Sequence, residues 1–139
     1  MNRVTHFEIH AEDPERAIAF YEAVYNWQFE KWDNYDYWEI QTGDEDDYGI
    51  DGGLVKRQGK AFGKNVISFV STIEVESVSD TLDLVELHGG KIASPKRVVP
   101  GEGWVAYFKD TEGNIAGLFE PDEDAAEERL RPDDDDDED

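Results

Sequence analysis

Hydrophobic and polar positions alternate with a period of two in "VTHFEIHAED", near the start of the chain. This pattern predicts a β-strand, because successive side chains of a strand point to opposite faces. Phe7 and Ile9 occupy one face. The polar side chains share the other face: His6, Glu8 and His10. The alternation indicates a strand with one apolar face for a core and one polar face available for chemistry.

The period changes to that of a helix in "AEDPERAIAFYEAVYNW". Asp13 can cap the helix, Pro14 suits its first turn, and Glu15 complements its dipole. Apolar residues then recur at helical spacing and predict one buried face: Ala17, Ile18, Phe20, Tyr21, Val24 and Tyr25. Strand-like pieces follow in "WQFEKW", "DYWEIQTG" and "GGLVKRQ". We therefore expect a helix over 14–25, with its aromatic residues in the core.

The order strand, helix, strand, strand, strand then recurs. "VISFVSTIEV" reads as a strand, a helix is predicted over 78–88, and Gly113 suits a tight hairpin turn between the last two strands. An offset of 64 places Glu22 on Glu86. The pattern predicts an α+β domain over 1–121, built from modules 3–58 and 64–121, with 122–139 as an acidic, disordered tail.

The charge of the chain restricts its partners. The 139 residues contain no cysteine, and their net charge is −22. The segment 122–139 holds twelve acids and two arginines, and the remaining body is also strongly acidic. Such a surface opposes binding to a phosphate backbone. Two interpretations stay open, salt adaptation of a halophilic protein and docking of a basic partner; the spread of acids through every segment favours the first. With no signal peptide or membrane-length apolar run, we expect a cytoplasmic protein.

The segments "VTHFEIHAEDPERAIAFYEAVYNW" and "GWVAYFKDTEGNIAGLFEP" resemble the vicinal oxygen chelate superfamily, which includes glyoxalases, bleomycin-resistance proteins and extradiol dioxygenases. The resemblance covers residues 3 to about 121. It implies that the tandem βαβββ modules form an open, U-shaped mixed sheet with the helices on its outer face and a cleft inside. It also implies a homodimer.

Metal-using members of this superfamily hold one divalent ion with four His or Glu side chains, from the first and last strands of each module. His6 falls at the first of these positions. The resemblance and the offset of 64 give the other three as Gly53, Val70 and Gly117. A divalent ion needs three or more protein donors, and glycine and valine side chains offer none. We therefore expect no bound metal or other cofactor.

The remaining candidates for ligand binding are cleft-facing polar and aromatic residues. His6 and Glu8 can hydrogen-bond a small molecule, and Glu39 in "YWEIQ" and Trp104 in "GWVAYF" join them as candidates. A metal site built from His6, Glu8 and a further carboxylate stays open as the less favoured alternative. His10 is expected to be exposed at the strand end. His88 is expected to cap the second helix.

Three further features bear on the surroundings of the cleft. The dense aromatic stretch from Trp27 to Trp38 is expected to divide between the helix side and the cleft or a dimer contact. "VVPGEGW" is interpreted as an ordinary connection rather than a flap. The basic run from Arg57 to Asn65 is interpreted as the linker between modules, with attraction of an anionic ligand as the alternative.

Two classes of function follow. The first is a protein of the bleomycin-resistance kind, which holds a small molecule in its cleft and needs no metal. The second is a metal-dependent lyase or dioxygenase of the same superfamily, working through His6 and a nearby carboxylate. Whether the chain is an enzyme stays open on the sequence alone.

Overall fold

The computed structural model describes residues 1–57 and 68–127. Its helices are α1 (Pro14–Tyr25) and α2 (Val78–Leu87). Its strands, in chain order, are β1 (Arg3–Ala11), β2 (Gln28–Lys31), β3 (Tyr37–Gln41), β4 (Gly52–Lys56), β5 (Phe69–Glu74), β6 (Lys91–Val99), β7 (Gly103–Lys109) and β8 (Ile115–Pro121). The predicted βαβββ order is confirmed in both modules. No helix in the described residues is long and apolar enough to span a bilayer.

The eight strands form one mixed sheet in the order β2-β3-β4-β1-β5-β8-β7-β6. The first strands of the two modules, β1 and β5, pair antiparallel at its centre. Within each module the first and last strands pair parallel, as β1 with β4 and β5 with β8. The predicted α+β class is confirmed.

The register of the strands reproduces the internal repeat. Glu8 pairs with Gly53 between β1 and β4, and Thr72 pairs with Gly117 between β5 and β8. Both members of the second pair lie 64 residues after their counterparts, which is the offset found in the sequence. Glu8 and Thr72 therefore occupy equivalent places on the inner surface of the two modules.

Both helices begin where the sequence predicts. The Asp13 side chain accepts a hydrogen bond from the Arg16 backbone N–H at 3.1 Å, and Pro14 opens α1. Ser77 caps α2 in the same way, accepting from Asp80 N at 3.1 Å. His88 is the C-cap residue of α2, as expected.

The core lies between the sheet and the helices. One cluster, under α2, contains Val78, Leu82 and Leu118, and a second, under α1, contains Ile40 and Leu54. Val78 and Leu54 are fully buried. The apolar face of β1 therefore serves the core, and its polar face is left on the opposite side of the sheet.

The predicted burial of the α1 aromatic residues is wrong for two of them. Phe20 is 56% exposed and Tyr25 is 57% exposed, whereas Tyr21 packs against the core cluster under α1. Tyr25 stacks on Trp27, with ring centroids 5.3 Å apart, so the last turn of α1 packs on a neighbouring ring. A helix lying on a sheet buries only a narrow stripe, and a 3.6-residue period alone does not show which apolar positions fall inside it.

The first residues of the predicted tail, 122–127, are described and contact the loop before β7. Gly101 N donates to the carbonyl of Ala125 at 2.9 Å, and Asp122 N donates to the carbonyl of Glu102 at 3.0 Å. Ala125 is buried. The rest of the tail, 128–139, and most of the linker between modules, 58–67, lie outside the described residues.

Candidate functional site

A cleft of about 1300 Å³ lies on the face of the sheet opposite the core clusters under the helices. Its lining includes the polar face of β1, with His6, Glu8 and His10. Residues of β7 and β8 also line it, among them Tyr107. The alternation in the first strand thus places three titratable side chains on the cleft side of the sheet.

The floor of the cleft is a hydrogen-bonded cluster of Glu8, His10 and Tyr107, which we call the floor cluster. The Tyr107 hydroxyl donates to Glu8 Oε1 in a short hydrogen bond. His10 Nε2 lies 3.1 Å from the same oxygen and donates to it when Nε2 carries the proton. Tyr107 comes from the second module and Glu8 from the first, so this bond ties the two modules together at the centre of the cleft.

The expected exposure of His10 is wrong. Its exposed fraction is 6%, although it lies one residue before the end of β1. The reason is that β1 is a central strand, and His10 pairs with Val55 of β4. The Tyr107 ring also covers His10; the two rings form a T-shaped pair with 6.2 Å between their centroids. A strand end in the middle of a sheet remains covered by its neighbours.

The electrostatics of the floor cluster favour an ionised Glu8. Burial by itself raises the pKa of Glu8, but the hydrogen bonds from His10 and Tyr107 and the charges of the histidines outweigh it and lower this pKa below its usual value. Burial and the Glu8 charge raise the pKa of Tyr107. Tyr107 therefore stays a neutral donor.

His6 lies in the same cleft in a different environment. Burial lowers the pKa of His6, and the negative charges of Glu8, Asp51 and Glu39 offset this only in part. The imidazole is therefore favoured in its neutral form, which can donate through one nitrogen and accept through the other.

Tyrosine rings cover two of the four positions that the sequence resemblance indicated for metal donors. A Cβ at Gly53 would clash with the Tyr37 hydroxyl and would lie 2.6 Å from Tyr37 Cε1. A Cβ at Gly117 would lie 3.3 Å from both Thr72 Oγ1 and Tyr107 Cε1. Because glycine has no side chain, Gly53 leaves room for the Tyr37 ring and Gly117 leaves room for the Tyr107 ring.

The other two positions differ from each other. Val70 is 1% exposed and packs against Tyr107, whereas His6 lines the cleft. The described residues include no group of three or more His, Asp or Glu side chains placed to hold a metal ion. Of the four positions, His6 alone has a side chain that can donate to a metal ion, so the four do not fit a four-donor metal centre.

Glu39 lies in the cleft wall, as predicted, and accepts a hydrogen bond from Trp32 Nε1 at 2.9 Å. Trp32, Tyr35 and Tyr37 also line the cleft, with 4.6 Å between the ring centroids of Trp32 and Tyr37. Trp38, from the same aromatic stretch, packs against the core cluster under α1. The stretch therefore divides between cleft and core.

Trp104 does not line the cleft, which corrects its prediction as a ligand-binding residue. It packs against the core cluster under α2, its Nε1 donates to Asp122 Oδ2 at 3.1 Å, and Lys96 Nζ lies 4.6 Å from its ring centre. Alternation along β7 explains the difference, because Tyr107 faces the cleft and Trp104 belongs to the opposite face.

Tyr107 and Tyr37 were not identified from the sequence. "WVAYF" is apolar or aromatic on both faces, so its period does not say which face lines the cleft. The usable signal was the pair of glycines at the equivalent positions 53 and 117, because a glycine in a strand interior often marks a close approach by another group.

Arg57, from the predicted linker, donates to the His10 carbonyl at 3.1 Å.

Comparison with known proteins agrees with this architecture. A sequence-family model described as bleomycin resistance protein-like N-terminal matches residues 3–43. No curated protein matches the chain.

Solved structures with the same fold include a methylmalonyl-CoA epimerase in complex with methylmalonyl-CoA and NH4+. It is 17% identical, with 91% of this chain and 99% of that chain covered and a TM-score of 0.61. The epimerase from Mycobacterium tuberculosis is 14% identical over 85% of this chain and 87% of that chain, with a TM-score of 0.57. A variant of the Streptomyces coelicolor epimerase bound to 2-nitronate-propionyl-CoA is 18% identical. The match covers 87% of this chain and 98% of that chain, with a TM-score of 0.60.

Proposed function

We propose that this chain, which has the fold of the vicinal oxygen chelate superfamily and a bleomycin-resistance-like first module, binds a small organic molecule in its cleft without a metal ion. The observation that carries the proposal is the replacement of metal donors by tyrosine rings. Tyr37 lies over Gly53, and Tyr107 lies against Gly117 and donates to Glu8.

A ligand in this cleft meets acceptors and donors in a partly desolvated setting. Glu8 provides a carboxylate at the floor, His6 provides a neutral imidazole, and Glu39 provides a second carboxylate in the wall. The rings of Tyr37 and Trp32 add apolar surface. A concave site with aromatic walls and a few convergent polar groups is the usual form of a small-molecule site.

The comparison proteins support ligand binding in this fold, because two of the solved epimerases hold acyl-CoA compounds. At 14 to 18% identity the likeness concerns the fold, so the ligand of this chain is not taken from theirs. We further propose that the chain acts as a homodimer in the cytoplasm and needs no cofactor.

A thermal-shift screen of small molecules in the presence of a chelator tests the proposal. Ligands that bind the folded state raise the melting temperature by mass action. Glu39→Gln in the cleft should reduce the shifts, and Glu76→Gln, at an exposed position outside the cleft lining, should leave them unchanged. A library in which no compound stabilises the chain under chelation would contradict metal-free binding.

The second candidate is a metal-dependent lyase or dioxygenase. It is favoured by one observation: His6 lies in the cleft with Glu8, Asp51 and Glu39 near enough to affect its pKa. Those side chains would have to move together to coordinate an ion. Metal-dependent stabilisation that is lost in His6→Ala would favour this candidate over the first.

A further inference from the structure

One oxygen of the Glu8 carboxylate is already engaged by the protein, and the other is not. The Tyr107 hydroxyl and His10 Nε2 both contact Oε1. Within residues 1–57 and 68–127, no donor contacts Oε2. The Glu8 side chain is 13% exposed, and Glu8 is a lining residue of the cleft. The exposed part of this carboxylate therefore opens into the cleft.

A buried carboxylate with an open oxygen attracts a donor. The floor cluster stabilises Glu8 in its charged form, and an ionised carboxylate can accept about four hydrogen bonds. Burying a charge costs free energy unless it is paired and hydrogen-bonded. His10, which can carry a positive charge, reaches Oε1, so among the described residues Oε2 is left open to a donor from a ligand.

The rest of the cleft also favours a positive group over a negative one. Glu39, Asp51 and Glu102 line it, and Arg97 is the one lysine or arginine in its described lining. The Tyr37 ring lies over Gly53, the strand partner of Glu8, and burial, together with the Glu8 charge, raises the Tyr37 pKa. The tyrosine therefore stays neutral and offers an aromatic surface beside the carboxylate.

We propose that the cleft selects ligands with a protonated nitrogen, an ammonium or amidinium group, which donates to Glu8 Oε2 while the adjoining apolar part of the ligand contacts the aromatic wall. This inference rests on the proposed function, because it names the class of ligand for the same cleft. Charge-assisted hydrogen bonds of this kind are shorter and stronger than neutral ones.

Three small probes of matched shape test the inference: benzamidine, benzamide and benzoate, which are cationic, neutral and anionic. Each is titrated into the full chain in molar KCl, with binding followed by NMR. At that salt concentration the Debye length is about 3 Å, so exposed carboxylates are screened, whereas the partly buried Glu8 is screened much less. The expected order of affinity is benzamidine, then benzamide, then benzoate.

Two variants locate the interaction. Glu8→Gln should weaken benzamidine binding by roughly tenfold or more, the loss expected for one hydrogen bond to a charged group. Glu76→Gln removes the same charge from an exposed position outside the cleft lining and should change the affinity by less than about twofold in molar KCl. Binding of benzamidine that is unaffected by Glu8→Gln would overturn the proposal.

The unmodified chain gives an independent answer if Glu8→Gln does not fold. Bound benzamidine should then show nuclear Overhauser contacts to the ring of Tyr107, whose hydroxyl donates to Glu8. Absence of these contacts, or an affinity for benzoate equal to that for benzamidine, overturns the inference. If neither the probes nor any compound of the wider screen binds, the proposed function itself fails. Preferential binding of benzamide or benzoate in the cleft leaves that function intact and refutes only the cationic class.

Discussion

Tyr107 is the residue on which the centre of the cleft depends. It is buried, its hydroxyl donates to Glu8, and its ring fills the space beside Gly117. Its two roles reinforce each other, because the ring holds the hydroxyl at the carboxylate and the carboxylate satisfies a buried donor. A side chain with this many constraints at the floor of a cleft stabilises the fold as well as the charge of the site.

We predict that Tyr107→Phe lowers the free energy of unfolding by about 1.5 to 3 kcal/mol, the usual value for a hydrogen bond to a charged group. The phenyl ring keeps the packing against Gly117, so the loss reports on the hydroxyl. The matched control is Tyr37→Phe, which should cost less than about 0.5 kcal/mol because no hydrogen bond of the Tyr37 hydroxyl is present within the described residues. Urea unfolding measures both, and equal losses would refute the assignment.

A second prediction at this scale concerns pH. The pKa of His6 is lowered in the folded state from 6.5, so the unfolded chain binds more protons just below pH 6.5. Stability should therefore fall as the pH falls through 6.5 towards the lower folded value. Denaturant midpoints above and below pH 6.5 should differ less in His6→Gln than in the unmodified chain.

His88→Gln, at the exposed end of α2, is the control for that measurement, because it removes a histidine from outside the cleft. A pH slope that His6→Gln leaves unchanged would show that burial of His6 does not perturb its protonation.

At the scale of elements, the first turn of α2 is held from two directions. Ser77 accepts from Asp80 N at 3.1 Å, and Glu120 Oε1, from β8, accepts from Val78 N at 2.9 Å. The Glu120 contact anchors the helix to the last strand of its own module. Two of the otherwise unpaired N–H groups of the helix start are thus satisfied, which fixes where α2 begins.

Ser77→Ala should lower the free energy of unfolding by about 1 kcal/mol, the typical cost of losing a capping side chain. Ser79→Ala, two residues along in the same turn, is the matched control; its hydroxyl accepts from Lys96 Nζ at the surface and should matter less. Thermal or urea unfolding compares the two. A larger effect at Ser79 would contradict the capping role of Ser77.

The elements were predictable from the sequence because their signals are local. Pro14 after Asp13, and Ser77 three residues before Asp80, mark helix starts through contacts within one turn. The offset of 64 was also readable, and the pairing of Glu8 with Gly53 and of Thr72 with Gly117 reproduces it. These features need no knowledge of distant contacts.

The floor cluster was only half predictable, for the opposite reason. The alternation around Glu8 placed it in the cleft, but Tyr107, one of the two side chains that hydrogen-bond it, lies 99 residues away in the sequence. The burial of His10 depends on Val55 of β4 and on the Tyr107 ring, and the position of Trp104 against the core depends on which face of β7 meets α2. Such facts arise from tertiary packing, which periodicity does not encode.

At the scale of the whole molecule, charge is the dominant feature. The chain carries 35 acidic residues against 13 basic ones, and the structure shows few ion pairs to offset them among its described residues. Like charges at this density repel one another in the compact state. We propose that the acidity is an adaptation to high salt concentration.

The melting temperature should therefore rise when KCl increases from dilute buffer to molar concentration, because the Debye length falls from about 30 Å at 0.01 M to about 3 Å at 1 M. Calorimetric or circular dichroism melts across a salt series measure this. A melting temperature independent of salt would favour the alternative, an acidic surface that docks a basic partner.

The metal content of the chain tests the central claim most directly. The protein is purified without chelators, its metals are measured by elemental analysis, and it is titrated calorimetrically with Zn²⁺, Mn²⁺, Ni²⁺ and Fe²⁺. Because tyrosine rings lie at Gly53 and Gly117 and Val70 is apolar, we predict no stoichiometric metal and no saturable binding in the cleft. One equivalent of metal that is lost in His6→Ala would contradict the account.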